Sequence, residues 1–261
     1  MTPITRRGFM HDYAGIGLTI AALPRFAYGQ ALTSDGVLQI TADMATAEAL
    51  QILGTPQTIT PFTTRDPTFD LTRAYNVENH VHAVRVARGE SPVGRKIGFT
   101  NRKIWDEFGV REPIWGFVYN TTLSQAHDGH ATASIGVFPE PRIEPEIMLH
   151  FKSAPPVTQD EDAILDSIDW IAHGFEIVQS PFPAWKFKVA DTVAVNGLHA
   201  LLIVGERVPV ASIADCRERL RTFRVALKND GNVAAEGSGA NVLGSPMDRK
   251  FKRPFRWLSG G

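Results

Sequence analysis

The pattern of apolar residues, together with capping signals, predicts four helices. The first is rich in Ala and lies between Thr41, a predicted N-cap, and Gly54, which stops it. The second is longer, begins after Asp70 and ends before Gly89. An acidic first turn after Thr158 predicts another helix, because carboxylates suit the positive end of the helix dipole. The predicted helices cover 41–53, 71–88, 101–109 and 158–173, with a proline-containing loop at 55–67.

Short runs rich in β-branched and aromatic residues predict strands between and after these helices. Residues 229–232 read Asn-Asp-Gly-Asn and indicate a tight hairpin between two such runs. The predicted strands cover 93–99, 114–119, 131–137, 142–151, 175–178, 198–204, 222–227 and 233–236. We therefore predict one α+β domain over 32–261, with a largely antiparallel or mixed sheet and flanking helices.

The composition excludes several classes of protein. The chain has 261 residues, 43% of them hydrophobic, and a formal net charge of −1. Because acidic and basic residues are nearly balanced over the chain, we expect no nucleic-acid partner. Cys216 is the only cysteine, which excludes an intrachain disulfide and a cysteine-based zinc site. No Gly-x-Ser-x-Gly sequence is present, which argues against a serine hydrolase.

Residues 1–31 have the pattern of an export signal rather than the start of a fold. Arg6 and Arg7 form a twin arginine, residues 13–24 are apolar, and residues 27–31 are mostly small. The apolar stretch is too short for a stable membrane span, and the order of the three parts is typical of a signal peptide. We expect twin-arginine export to the periplasm. The alternative is an ordinary amphipathic helix on a cytoplasmic protein.

Three glutamates are the candidates for binding a metal ion. Glu144 and Glu146 lie two residues apart on a predicted strand and so point to the same face. Pro145 between them favours an edge strand or a bulge. Glu176 lies among apolar residues, where a charge needs a partner. Three oxygen ligands favour Mg²⁺ or Mn²⁺ over zinc, although a solvent-facing pair of glutamates is the alternative on this pattern alone.

Two lysines lie in sequences that could surround a ligand. Lys96 is flanked by Gly94 and Gly98, which allow close approach of backbone or substrate. A lysine beside a metal site can hold a substrate oxygen or supply a proton. Lys186 follows Trp185 and could contact an anionic substrate. For each lysine the alternative is a side chain that is merely exposed to solvent.

Six motifs, in this order, resemble a known family. They are GRKIGFT at 94–100, PIWG at 113–116, PRIEPEI at 141–147, FEIV at 175–178, DTVA at 191–194 and GANVLG at 239–244. Together they are similar to the hydratase and decarboxylase branch of the fumarylacetoacetate hydrolase superfamily, from about residue 40 to 246. The motifs are far less specific for the reaction than for the superfamily.

The resemblance implies a mixed β-roll fold and a divalent cation, Mg²⁺ or Mn²⁺, on Glu144, Glu146 and Glu176. It also implies a small 2-oxo acid substrate, a homo-oligomer, and catalytic roles for Lys96, Glu144 and Glu146. Lys96 matches the family's active-site lysine and would orient the substrate or transfer a proton. Residues expected to bind substrate are Arg142, Lys186 and His199.

Three activities remain open on the sequence. The first is hydration of 2-hydroxypenta-2,4-dienoate in aromatic catabolism, and the second is decarboxylation of a 2-oxohexenedioate at the same site. The third is a non-catalytic protein that binds a small oxo acid or nothing, because the chain departs from the family's pattern after the Gly-Ser-Pro segment at 244–246. We expect a shortened carboxyl end there. Gln179, where relatives often carry Asp, and His199 are further departures.

Overall fold

Helices dominate the first half of the chain and strands the second half in the computed structural model, which describes residues 31–32, 38–158 and 160–247. The helices are α1 Ala42–Ile52, α2 Phe62–Arg65, α3 Leu71–Ala87, α4 Trp105–Phe108, α5 Glu161–Asp166, α6 Val189–Ala194 and α7 Cys216–Thr222. The strands are β1 Ala31–Leu32, β2 Leu38–Gln39, β3 Pro92–Gly98, β4 Ile114–Tyr119, β5 Leu123–Gln125, β6 Arg142–Phe151, β7 Ile168–Val178, β8 His199–Pro209, β9 Arg224–Asn229 and β10 Asn232–Ser238.

Two predicted segments fall outside the residues described. The first is the predicted export signal at 1–31, of which only Ala31 is described. The second is the carboxyl end at 248–261. Among the residues that are described, no helix has both the length and the apolar character required to cross a bilayer.

The predicted caps of the two longer helices are confirmed. Oγ1 of Thr41 accepts a hydrogen bond from the backbone N–H of Met44 at the start of α1. Oδ1 of Asp70 accepts one from the N–H of Arg73 at the start of α3. Each bond satisfies a donor that the first helical turn leaves without a partner. These helices pack with α6 around one core, whose fully buried members include Ala45, Phe62, Ala74, Val77, Phe182 and Val193.

A four-stranded mixed sheet carries the carboxylates. Its order is β5-β8-β7-β6, with β5 parallel to β8 and the other pairs antiparallel. β6 is the outermost strand on its side, which suits Pro145, since a proline cannot donate to a neighbouring strand. Hairpins β3–β4 and β9–β10 and the pair β1–β2 form separate two-stranded sheets. The α+β class with a mixed sheet is therefore confirmed.

Two predicted elements are wrong. Residues 158–173 do not form one helix, because α5 ends at Asp166 and β7 begins at Ile168. The N-cap of α5 is Asp160 rather than Thr158. β7 pairs with both β6 and β8 along its length, so strand pairing outweighs the acidic signal for a helix. Residues 131–137 contain no strand.

Other predicted boundaries of helices, strands and loops lie closer to those of the structure. The loop predicted at 55–67 contains the single turn α2, and β8 extends five residues beyond the predicted strand end at 204, to Pro209. The hairpin of β9 and β10 turns at Asp230 and Gly231, which both have positive φ, as the Asn-Asp-Gly-Asn sequence predicts.

Candidate metal and substrate site

Three glutamates from two neighbouring strands form a carboxylate cluster. Glu144 on β6 lies directly opposite Glu176 on β7, and Glu146 lies two residues further along the same face of β6. One carboxylate oxygen from each lies within 4.8 Å of the others. Glu176 is buried, Glu146 is half-buried and Glu144 is exposed. The cluster therefore has one buried end and one end open to solvent.

Lys96 places an ammonium group at the buried end of the cluster. It projects from β3, and its Nζ lies 3.0 Å from Oε2 of Glu176. The same Nζ donates a hydrogen bond of 2.9 Å to the carbonyl oxygen of Gly197. Only 9% of the Lys96 side chain is exposed. Two of the three ammonium donors thus have protein acceptors, and a third is left for another ligand.

His199 lies on the other side of Glu176, at the start of β8. Its Nδ1 is 2.8 Å from Oε1 of Glu176, and its Nε2 is 2.9 Å from Oγ1 of Thr122. A carboxylate only accepts hydrogen bonds, so Nδ1 carries the proton in this contact. The histidine ring is fully buried. His199 therefore orients Glu176 from behind, and its predicted contact with substrate stays a prediction.

The environment separates the acidities of the three carboxyl groups. Burial raises the pKa of Glu146 to about 8, and the neighbouring Glu176 adds to that effect. Part of Glu144 is open to solvent, but desolvation of its carboxyl group still raises its pKa, although Lys96 opposes this. Burial would also raise the pKa of Glu176, but Lys96 and the hydrogen bond from His199 outweigh it and lower that pKa.

The ammonium group of Lys96 is the positive charge nearest to Glu176 among these groups. Burial alone would lower the pKa of its ammonium, but the carboxylates of Glu176, Glu144 and Glu146 outweigh it and raise the pKa. Lys96 is therefore a cation beside Glu176. One lysine does not neutralise three ionised carboxylates, so ionisation of all three requires a further cation. An all-oxygen donor set that carries surplus negative charge when ionised fits a hard divalent cation.

A cation and an aromatic ring lie beside the open end of the cluster. Arg142 is on β6, two residues before Glu144, and its guanidinium carbon lies 3.8 Å from the centre of the Trp185 ring. The indole N–H of Trp185 donates to the carbonyl oxygen of Glu140. The charge of the Arg142 guanidinium also opposes the rise in the pKa of Glu144. Lys186 is exposed on the segment after Trp185.

The opposite face of the sheet carries a mainly apolar cavity. This cavity of about 660 Å³ is lined by side chains that include Ile143, Phe175, Ile177 and Ile203. These residues alternate along the strands with Glu144 and Glu176, so they point away from the carboxylates. The carboxylate cluster and these apolar side chains therefore lie on different faces of one sheet.

Thr122 and Asn196 were not identified from the sequence, although both belong to the surroundings of Glu176 and Lys96. Thr122 contacts His199, and Asn196 begins the turn that contains Gly197. The sequence Asn196-Gly197 is a turn signal, but it does not indicate which side chain the turn contacts. Thr122 has no local signal at all, because its partner is 77 residues away.

The fold and the cluster define an α+β protein with an all-carboxylate site beside a buried lysine. Its fold is that of 4-oxalocrotonate decarboxylase from Pseudomonas putida G7, solved in complex with magnesium and adipate. The TM-score is 0.71 with 25% identity, over 80% of this chain and 79% of that one. No family model matches the chain.

Curated relatives establish the family. The chain is 30% identical to 2-hydroxyhexa-2,4-dienoate hydratase of Comamonas testosteroni over 203 residues, which is 76% of this chain and 74% of the relative. It is 29% identical to 2-hydroxypent-2,4-dienoate hydratase of Pseudomonas putida, over 77% and 88% of the two chains. It is also 29% identical to 4-oxalocrotonate decarboxylase of Pseudomonas sp. strain CF600, over 82% and 77%. The chain belongs to this hydratase and decarboxylase family, the branch of the fumarylacetoacetate hydrolase superfamily that the six motifs indicated.

Proposed function

We propose that this protein is a metal-dependent hydratase that adds water to 2-oxo acids of the 2-hydroxypenta-2,4-dienoate type in aromatic catabolism. The observation that carries the proposal is the cluster of Glu144, Glu146 and Glu176 with the ammonium of Lys96 at its buried end. The names of the hydratase relatives support the same reaction. The ion would be Mg²⁺ or Mn²⁺, and the magnesium complex of the decarboxylase structure favours the former.

The three glutamates would hold the cation, which supplies Lewis-acid stabilisation of negative charge on the substrate. Lys96 keeps two donors on Gly197 and Glu176 and directs the third towards the substrate. From that position it can orient a substrate oxygen or transfer a proton when the dienol is converted to the conjugated enone. Addition of water to that enone then gives the 4-hydroxy-2-oxo acid. Arg142 and Lys186 supply cations for the substrate carboxylate.

A second candidate activity is decarboxylation of 2-oxohex-3-enedioate. The observation that favours it is Arg142, which the ring of Trp185 holds beside Glu144, where a guanidinium can bind a second carboxylate. In this reaction the bond to one carboxylate breaks and CO₂ leaves. The electron pair moves into the conjugated 2-oxo system, and a proton then completes the 2-hydroxydienoate.

An ultraviolet assay with both compounds tests these proposals. Purified protein would be given fresh 2-hydroxypenta-2,4-dienoate or 2-oxohex-3-enedioate with Mg²⁺, with Mn²⁺ or with excess chelator. Glu144→Gln removes a proposed ligand, and Glu206→Gln is the matched control on an exposed residue of β8. We expect metal-dependent turnover of the first compound that Glu144→Gln abolishes and Glu206→Gln retains. CO₂ release from the second compound alone would make the protein a decarboxylase. Turnover of neither compound by metal-loaded protein would support the non-catalytic alternative.

We further propose periplasmic export and a homo-oligomeric assembly. Export rests on the twin arginine and the apolar stretch within residues 1–31. The assembly rests on the resemblance to the family, and the subunit number is measurable by light scattering of the purified protein. A monomer at micromolar concentration would contradict it.

A further inference from the structure

Three consecutive residues between α6 and β8 have left-handed backbone conformations. Asn196, Gly197 and Leu198 have φ values of 58°, 61° and 64°. Glycine adopts such values freely, and asparagine does so more often than most residues, but leucine rarely does. All three residues are buried. A run of this kind persists only where its surroundings hold it in place.

The side chain of Asn196 holds this turn against β4. Its Nδ2 donates a hydrogen bond of 2.9 Å to the carbonyl oxygen of Phe117, and its Oδ1 accepts one of 2.6 Å from the N–H of Phe117. The amide thus pairs with the backbone of β4 as a neighbouring strand would. Gly116 leaves room for it, because a Cβ there would lie 2.7 Å from Oδ1 and 2.8 Å from the carbonyl oxygen of Asn196.

The turn adjoins both residues that contact Glu176, which are Lys96 and His199. The carbonyl oxygen of Gly197 accepts the hydrogen bond from Nζ of Lys96. His199, the residue directly after the turn, contacts the other oxygen of Glu176. A lysine side chain has four flexible methylene groups, so a fixed acceptor is needed to aim its remaining donor. The position of that acceptor depends on the turn and therefore on the amide of Asn196.

We infer that Asn196 is a positioning residue for Lys96: its amide fixes the Gly197 carbonyl and thereby the direction of the Lys96 ammonium. Only the expected effect on catalysis rests on the proposed function, because the positioning of Lys96 follows from the contacts alone. Displacement of a reacting group by about 1 Å can lower a rate about a hundredfold. Glu144 and Glu146 lie on β6 rather than on this turn, whereas Glu176 also contacts His199, the residue directly after it.

Three variants separate positioning from simple stabilisation of the fold. Asn196→Ala removes both hydrogen bonds to Phe117, and Gly116→Ala displaces the turn while keeping the amide. Thr63→Ala is the matched control, because it removes a buried hydrogen bond of 2.7 Å from Thr63 to Asp191. Thr63 contacts neither Lys96 nor Glu176 through that bond. Thermal unfolding of all three variants would show whether their losses of stability are comparable.

The first readout does not need turnover. Brief acetylation at one pH, followed by mass spectrometry, measures the reactivity of Lys96 relative to the exposed lysines Lys103 and Lys228 in the same sample. We expect relative labelling of Lys96 to rise at least fivefold in Asn196→Ala and Gly116→Ala and to stay at the wild-type level in Thr63→Ala. Unchanged labelling in the first two variants, or an equal rise in the control, would overturn the inference.

The second readout is kinetic. For the substrate that the wild type turns over, Asn196→Ala and Gly116→Ala should lower kcat about 10- to 100-fold while KM changes less than threefold. Thr63→Ala should change neither. A kcat within threefold of the wild type in both turn variants would contradict positioning. If the wild type turns over neither compound, the proposed function fails, and the labelling experiment still decides the role of Asn196.

Discussion

Nζ of Lys96 lies 3.0 Å from Oε2 of Glu176, and both side chains are almost completely buried. Burying such an ion pair costs desolvation free energy. Removing one partner would leave the other as an uncompensated buried charge. The pair also joins β3 to β7, two strands that belong to different sheets. Glu176 opposes Glu144 across the sheet, so this contact links the lysine to the whole carboxylate cluster.

Replacing Lys96 by methionine should separate catalysis from metal binding. Lys96→Met keeps the length of the side chain but removes its charge and donors, so we expect turnover to fall at least a hundredfold. Affinity for Mg²⁺ should stay equal or increase, because a cation beside the carboxylates repels the ion. Calorimetry and the ultraviolet assay measure the two effects, with the exposed Lys228→Met as control. A tenfold loss of metal affinity would show that Lys96 supports the ligands instead.

Metal binding should strengthen as pH rises. The pKa of Glu146 is raised to about 8 by burial and by Glu176, and that of Glu144 is raised too. A carboxyl group must lose its proton to bind the ion, so metal and protons compete. We expect the apparent affinity for Mg²⁺ to increase from pH 6 to pH 8 and to level off above that. Calorimetry across this range, with Glu146→Gln for comparison, provides the test, and a flat profile would contradict it.

A buried glutamate outside the cluster should make stability depend on pH. Glu78 on α3 is fully buried, and burial raises its pKa from 4.5 to about 8 despite the nearby Arg85 and Arg95. The folded protein therefore retains a proton that the unfolded chain loses above pH 4.5. This contribution to stability is complete below pH 4.5 and is lost as pH rises to 8, by up to about 1.4 kcal/mol per pH unit.

Urea unfolding from pH 5 to pH 9 with saturating Mg²⁺ measures that effect. Glu78→Gln has no proton to lose there, so its stability should vary less with pH than that of the wild type. Saturation with metal reduces the contribution of Glu146 in both proteins. Parallel profiles of stability against pH for the two proteins would exclude Glu78 as the source.

The amino terminus provides a prediction about processing. If residues 1–31 act as an export signal, the mature protein should lack them, because signal peptidase cleaves after small residues. Arg6→Lys combined with Arg7→Lys should block export and leave the signal attached. Mass spectrometry of protein from the periplasmic and cytoplasmic fractions measures both. A wild-type protein found in the cytoplasm and still beginning near Met1 would contradict export.

Local signals were sufficient for much of the fold. Thr41 and Asp70 begin their helices as predicted, since a cap needs only neighbours within one turn. The Asn-Asp-Gly-Asn hairpin and strand β6 also followed from short patterns. The helix predicted over 158–173 failed because β7 is specified by its partners β6 and β8, which lie elsewhere in the sequence. Pairing of that kind is not encoded within a local window.

Some features of the candidate site are likewise local in sequence, and others depend on tertiary structure. By itself the sequence determined that Glu144 and Glu146 share a face, because side chains alternate along a strand, and its ordered motifs indicated the family. Only the tertiary structure placed Glu176 opposite Glu144, brought Lys96 to Glu176 from another sheet, and placed His199 and Thr122 behind it. The contact between the Asn196 turn and β4 also appears only in the tertiary structure, since Phe117 is 79 residues distant from Asn196. Contacts between such distant residues depend on how whole elements pack, which no local pattern specifies.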